Sequence, residues 1–211
     1  LPELASPRVL RSVSGPIDDT VACRTPIRLR DLLRSTNGHG FPSDLSAPVV
    51  ALLTEQLHQG TPEPQRFPAP DEWMARLTGI PLLHQPGEAF TYNTAYDILG
   101  VLAARISGQP FATYVHDRIL RPLAMTDTGF SYPTALTSRA TTSYRTDQNG
   151  TLTMVDPPDG QWASEPAFAS GAGGYVSTAA DLLAFHRMLL AGGADVLPVD
   201  LVEAMTTDQL N

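Results

Sequence analysis

Lysine is missing from this chain: all fourteen basic residues are arginine. A desolvated lysine can shed its proton near neutral pH, whereas a guanidinium stays charged and accepts no proton, so no step that needs a neutral amine can be served by these residues. Cysteine is almost missing too. Cys23 stands alone, which excludes an internal disulfide, and neither a C-x-x-C partner nor a nearby histidine suggests a metal, so it reads as a small packed thiol. A reduced, cytoplasmic setting fits a lone thiol slightly better than export, although an exported protein without disulfides fits it as well. The five histidines show neither an i, i+4 pair nor H-E-x-x-H, and they read as surface or core residues. The longest unbroken apolar stretch is Ala47 to Leu53, far short of the ~20 residues of a membrane span. Positive charge is scarce: 14 basic against 22 acidic residues give a net charge of −8, the wrong sign for following phosphates along a nucleic acid or binding an anionic bilayer. The start, Leu1-Pro2-Glu3, lacks Met and a basic segment before an apolar one, so it reads neither as a translation start nor as a signal peptide, but as the interior of a longer chain.

What is present is a globular composition, 42% apolar and 17% charged over 211 residues, enough for one domain with a core. Residues 1–26 are rich in turn formers and predict an irregular lead-in. A short helix is expected over Ile27–Leu33 and a second over Ala47–Gln59, stopped by Gly60. The four prolines between Thr61 and Pro70 predict a loop. Asp71 is the expected N-cap of a helix carrying Trp73, Met74 and Leu77. The strongest helix begins at Thr94. Thr94-x-x-Asp97 matches a capping box, and Ala95, Ile98, Leu99, Leu102 and Ile106 repeat at three and four until Gly108. Phe111–Leu120 follows as an amphipathic helix. Asn149-Gly150 predicts a hairpin between Thr141 and Val155. Gly171-Ala172-Gly173-Gly174 lacks the spacing and the lysine of a phosphate loop and reads as a turn that lets the backbone pass close to a neighbour. Thr178-x-x-Asp181 opens a helix to Leu190, and a last helix is expected over Val199–Thr206. No alternating strands long enough for a central sheet are visible.

For nucleophilic chemistry, G-x-S-x-G does not occur, and S-x-x-K cannot occur without lysine. The remaining pattern is Pro86-Gly87-Glu88-Ala89-Phe90-Thr91-Tyr92-Asn93-Thr94-Ala95-Tyr96-Asp97-Ile98-Leu99-Gly100, a turn with a tyrosine just before the best helix. Together with Ile106-Ser107-Gly108-Gln109-Pro110-Phe111, Pro122 to Phe130, Arg30-Asp31-Leu32-Leu33 and Gly173 to Asp181, it resembles the β-lactamase-related serine hydrolases. That family includes class C β-lactamases, D-alanyl-D-alanine carboxypeptidases and esterases on the same fold.

The resemblance implies an α+β, mostly helical chain: the helical subdomain and flanking segments of a β-lactamase/transpeptidase-like fold, with most of the central antiparallel sheet missing. The helical subdomain would span 27–130, and a hairpin, Gly-rich turn and return helices 131–211. Of the family's three motifs, S-x-x-K, Tyr-x-Asn and a basic strand motif, only the middle one has a counterpart. Tyr92 matches the proton-passing tyrosine and is the expected catalytic residue. Asn93 and Thr94 are the expected substrate-binding residues, although Thr94 stands where the family has asparagine. Ser35-Thr36-Asn37 spells the S-x-N of penicillin-recognising relatives, but a helix-ending turn explains it better. A phenolate near neutrality needs about 4 kcal/mol from nearby positive charge, which the family takes from lysine. The expectation is therefore a middle portion of an acyl-enzyme-forming hydrolase of esters, amides or lactams, inactive by itself. It implies no cofactor and no metal, and its partner is a small acyl substrate; the oligomeric state is left open. A non-catalytic homologue acting through its helical surface is the other reading left open.

Overall fold

The computed structural model describes residues 1–60 and 63–210. Its first feature departs from the sequence expectation. Within residues 1–26, strands β1 (Arg8–Leu10) and β2 (Thr20–Ala22) pair antiparallel in the register Arg8↔Ala22, Val9↔Val21 and Leu10↔Thr20. Three-residue strands are too short to display an alternating pattern. They are fixed from a distance instead: Leu10 N donates to Leu82 O at 2.9 Å, and Leu82 N to Arg8 O at 2.8 Å.

Helix α1 is Leu29–Leu33, two residues shorter at its start than expected, because the Asp31 carboxylate accepts the Arg28 backbone N–H at 2.8 Å and sets the first turn there. Helix α2 (Pro48–Leu57) ends with His58 left-handed, and α3 (Pro70–Leu77) starts one residue before Asp71. Ala69 is therefore the N-cap of α3, with Pro70 at the first helical position and Asp71 in the first turn. Of the proline-rich run, residues 63–69 hold a 3-10 turn, Pro64–Arg66, and no α-helix, Pro70 already opens α3, and residues 61 and 62 lie outside the described set.

Helix α4 (Thr94–Ser107) has the expected extent but a rotated buried stripe. Ala95, Ile98 and Val101 are in the core, whereas Ile106 is 78% exposed. The stripe turns because Thr94 and Asp97 are also buried, held by hydrogen bonds described below. Helix α5 (Phe111–Val115) runs into a π-turn, His116–Leu120. An i, i+5 register brings Val115 and Leu120 to one face, and both are buried with Met125 in a small second core.

The expected hairpin is present as β3 (Ser143–Thr146) and β4 (Leu152–Asp156), antiparallel and closed by Asp147 N–H donating to Thr151 O. Helix α6 (Ala179–Leu190) carries the expected Thr178 cap, whose hydroxyl accepts the Asp181 N–H at 3.2 Å, and α7 is Val199–Thr206 as read from the sequence. The main core gathers Leu53 and Leu57 of α2, Trp73, Met74 and Leu77 of α3, and Ile98 of α4 around Phe168. The described residues thus form a helical body with two separate two-stranded sheets, and none of their helices is long and apolar enough to cross a membrane.

Candidate active site

Tyr92 sits on backbone that is held from both sides. Before it, Thr91 is buried, its N–H donating to Ser35 O at 2.7 Å and its hydroxyl to His39 O at 2.8 Å. The Tyr92 carbonyl accepts two N–H groups, from Phe41 at 3.1 Å and from Thr94 at 3.2 Å. The second of these spans only two residues and closes a γ-turn at Asn93, whose φ of 82° and ψ of −68° are strained for a residue with a side chain. With its main chain fixed in this way, the Tyr92 side chain is left 66% exposed.

The exposed ring lines a cavity of about 660 Å³ that Asn93 also lines. Tyr92, Phe41 and Leu45 are shared with a neighbouring groove of about 540 Å³, so the tyrosine borders two recesses. Thr94 is not among the lining residues. It is fully buried, and its hydroxyl donates to Gln59 Oε1 at 2.9 Å. The structure thus brings Tyr92 and Asn93 to one cavity and turns Thr94 into the core.

Thr94 begins a buried chain that sequence reasoning missed. Gln59 Nε2 donates to Asp97 Oδ2 at 2.7 Å, and Ser170 Oγ and Ala172 N donate to Asp97 Oδ1 at 2.6 and 3.3 Å. Asp97 is therefore no capping-box partner of Thr94; it ties α4 to the glycine-rich segment. Burial pushes its carboxyl above the ordinary value, opposed by the hydrogen bonds of Ser170, Gln59, Ala172 and Gly171. That segment can lie against the helix because Gly171 has no side chain: a Cβ there would be 2.1 Å from the Tyr96 carbonyl oxygen. This is the close approach read from the glycines. The only signal for the network was a charged residue on an otherwise apolar helical stripe.

Ser35-Thr36-Asn37 proves to be the helix-ending turn, with Ser35 left-handed after α1 and Asn37 fully buried away from the cavity. Two residues on, buried His39 has Nε2 3.3 Å from Ile80 O, so Nε2 carries the proton, while Nδ1 has no partner among the described residues. Burial lowers its pKa to about 4, from an unfolded value of about 6.5. Because the folded value is the lower one, its contribution to stability is complete above pH 6.5 and is lost as pH falls toward 4. At about 1.4 kcal/mol per pH unit this amounts to roughly 2–3 kcal/mol between pH 7 and 4.5. Unfolding free energies from urea titrations at the two pH values should differ by that much more in the wild type than in His39→Gln. Equal pH slopes would contradict the assignment.

Among the described residues that line the cavity, none is arginine, lysine or histidine, so its own wall supplies no cation to stabilise a phenolate.

Comparison with known proteins adds the following. The family model described as Beta-lactamase matches residues 13–211. An uncharacterized protein of Mycobacterium tuberculosis is 38% identical over 99% of this chain and 51% of its own length. Esterase EstB of Burkholderia gladioli is 32% identical over 66% of this chain and 38% of its own. Among solved structures, simvastatin synthase (LovD) from Aspergillus terreus superposes with a TM-score of 0.73 at 22% identity, covering 100% of this chain and 50% of that one, a likeness of fold. The chain spans about half the length of the curated M. tuberculosis relatives it matches.

Proposed function

Because the chain belongs to the beta-lactamase family, we propose that it carries the proton-relay tyrosine of a serine hydrolase that forms an acyl-enzyme, with Tyr92 in that role. The nucleophilic serine and its lysine are contributed by polypeptide other than these 211 residues. In this reading the serine oxygen bonds to the acyl carbon, and its proton passes by way of Tyr92 to the departing alcohol or amine. Water then releases the acid by the same route reversed. Asn93 borders the substrate, and Thr94 acts from behind as a positioning residue through Gln59 and Asp97. An ester is the favoured substrate, supported by the relative named as an esterase.

The observation that carries the reading is an exposed tyrosine on doubly anchored, strained backbone at the edge of a cavity of about 660 Å³. Strain of this kind persists only where neighbouring contacts over-determine it, and it clusters at reacting sites.

The test is covalent labelling. The full-length protein should take one fluorophosphonate adduct on a serine outside these 211 residues and hydrolyse a simple ester. The isolated stretch should take none and hydrolyse nothing. An adduct on an internal serine of the isolated stretch, with turnover abolished by replacing that serine, would overturn the proposal. An unreactive full-length protein would favour a non-catalytic role.

A further inference from the structure

The Tyr92 cavity has a one-sided chemistry. Its walls include Phe41, Val50, Phe67, Phe130, Trp162 and Phe168. Phe168 is wedged between Phe67 and Trp73, with ring centroids 5.7 and 5.3 Å away, so this wall is preformed. A volume of about 660 Å³ lies in the range that encloses most of a drug-sized ligand. The lining's charged groups are both acidic, Glu63 and Asp97. Neither is open to an incoming cation: Glu63 pairs with Arg66 at 3.1 Å, and Asp97 has its oxygens taken by Gln59, Ser170 and Ala172. A carboxylate entering here would lose its hydration and find no unpaired cation among the described lining residues to compensate it. The medium already acts this way on Asp97, whose burial disfavours its ionised form.

We infer that this cavity selects the uncharged, bulky apolar part of a substrate and rejects one that carries a carboxylate at that end. The inference rests on the reading of Tyr92 as the reacting edge of the cavity, but it can be measured without catalysis. The acyl or alkoxy group bound here would be aromatic or branched, buried to the depth of Phe168, with its reacting bond left at Tyr92. A free acidic terminus is disfavoured on that side.

The experiment compares two unreactive amides by calorimetry at pH 7.5 on the full-length protein. N-benzylheptanamide and N-benzyladipamate differ in that a terminal carboxylate replaces the terminal ethyl group. The neutral amide should bind about tenfold tighter or better. Thr54, half-buried on the α2 wall, offers the second arm. Thr54→Arg should shrink the preference about tenfold by placing a guanidinium on the lining, and Thr54→Val should keep it. Adipamate binding as tightly as the neutral amide would overturn the inference, as would no binding of either to folded protein. If the preference holds while ester turnover and serine labelling are both absent, the hydrolase reading fails and the cavity assignment stands. Turnover without the preference sinks the cavity assignment and leaves the hydrolase reading in place.

Discussion

Replacing Tyr92 by Phe in the full-length protein is expected to lower kcat/KM for a neutral ester by about 10²- to 10⁴-fold, the usual worth of a positioned acid–base group. The loss should fall on kcat, with KM within a few-fold of wild type. The substitution removes one oxygen and keeps the ring, and the main chain at this point is held by Ser35, His39 and Phe41 rather than by the phenol. Since the side chain is mostly exposed, stability should stay within about 0.5 kcal/mol. A fluorophosphonate adduct should still form slowly on the serine, because attack is hindered but the nucleophile is intact. A variant with full kcat would return Tyr92 to the role of an aromatic cover over the start of α4.

Much of this architecture could be read from letters. Helices α2, α4, α6 and α7 and the β3–β4 hairpin follow from local signals: Gly60 after α2, the Thr178 cap, the three-and-four spacing of α4 and the Asn149-Gly150 turn. Tyr92 and Asn93 at the cavity were reachable through a family resemblance and not through spacing alone, since nothing within one turn of sequence marks a tyrosine as reactive. The misses share one cause, contacts between residues far apart in sequence. The β1–β2 pair depends on Leu82, which lies about sixty residues away from Thr20. Thr94 and Asp97 look like a capping box in one dimension, yet their partners are Gln59, Ser170 and Ala172, each more than thirty residues distant. The π-turn after α5 likewise answers a packing demand, the joint burial of Val115 and Leu120, that a helical pattern cannot express.

The other large effect expected is from Gly40→Ala, which attacks the clamp rather than the reacting group. Gly40 has φ 150°, and a Cβ built there would lie 2.6 Å from the Tyr92 carbonyl oxygen and 2.8 Å from Thr91 Cβ. Neither neighbour can yield cheaply. The carbonyl oxygen already accepts the Phe41 and Thr94 N–H groups, and the Thr91 hydroxyl is bonded to the His39 carbonyl in the same turn. Moving the 91–93 segment aside breaks the bridge between Phe41 and Tyr92 and opens the γ-turn at Asn93. Overpacking against backbone together with lost buried hydrogen bonds should cost about 4 kcal/mol or more. Gly108→Ala is the fitting comparison: Gly108 has φ 70° but nothing within 4 Å of a Cβ, so it should lose only about 1 kcal/mol, the cost of left-handed backbone. At a temperature where both variants are folded, only Gly40→Ala should also lose ester hydrolysis, because it displaces Tyr92 while leaving every reacting atom in the sequence. Equal denaturation midpoints and equal activities in the two variants would show that the loop yields freely, and that the position of Tyr92 does not depend on it.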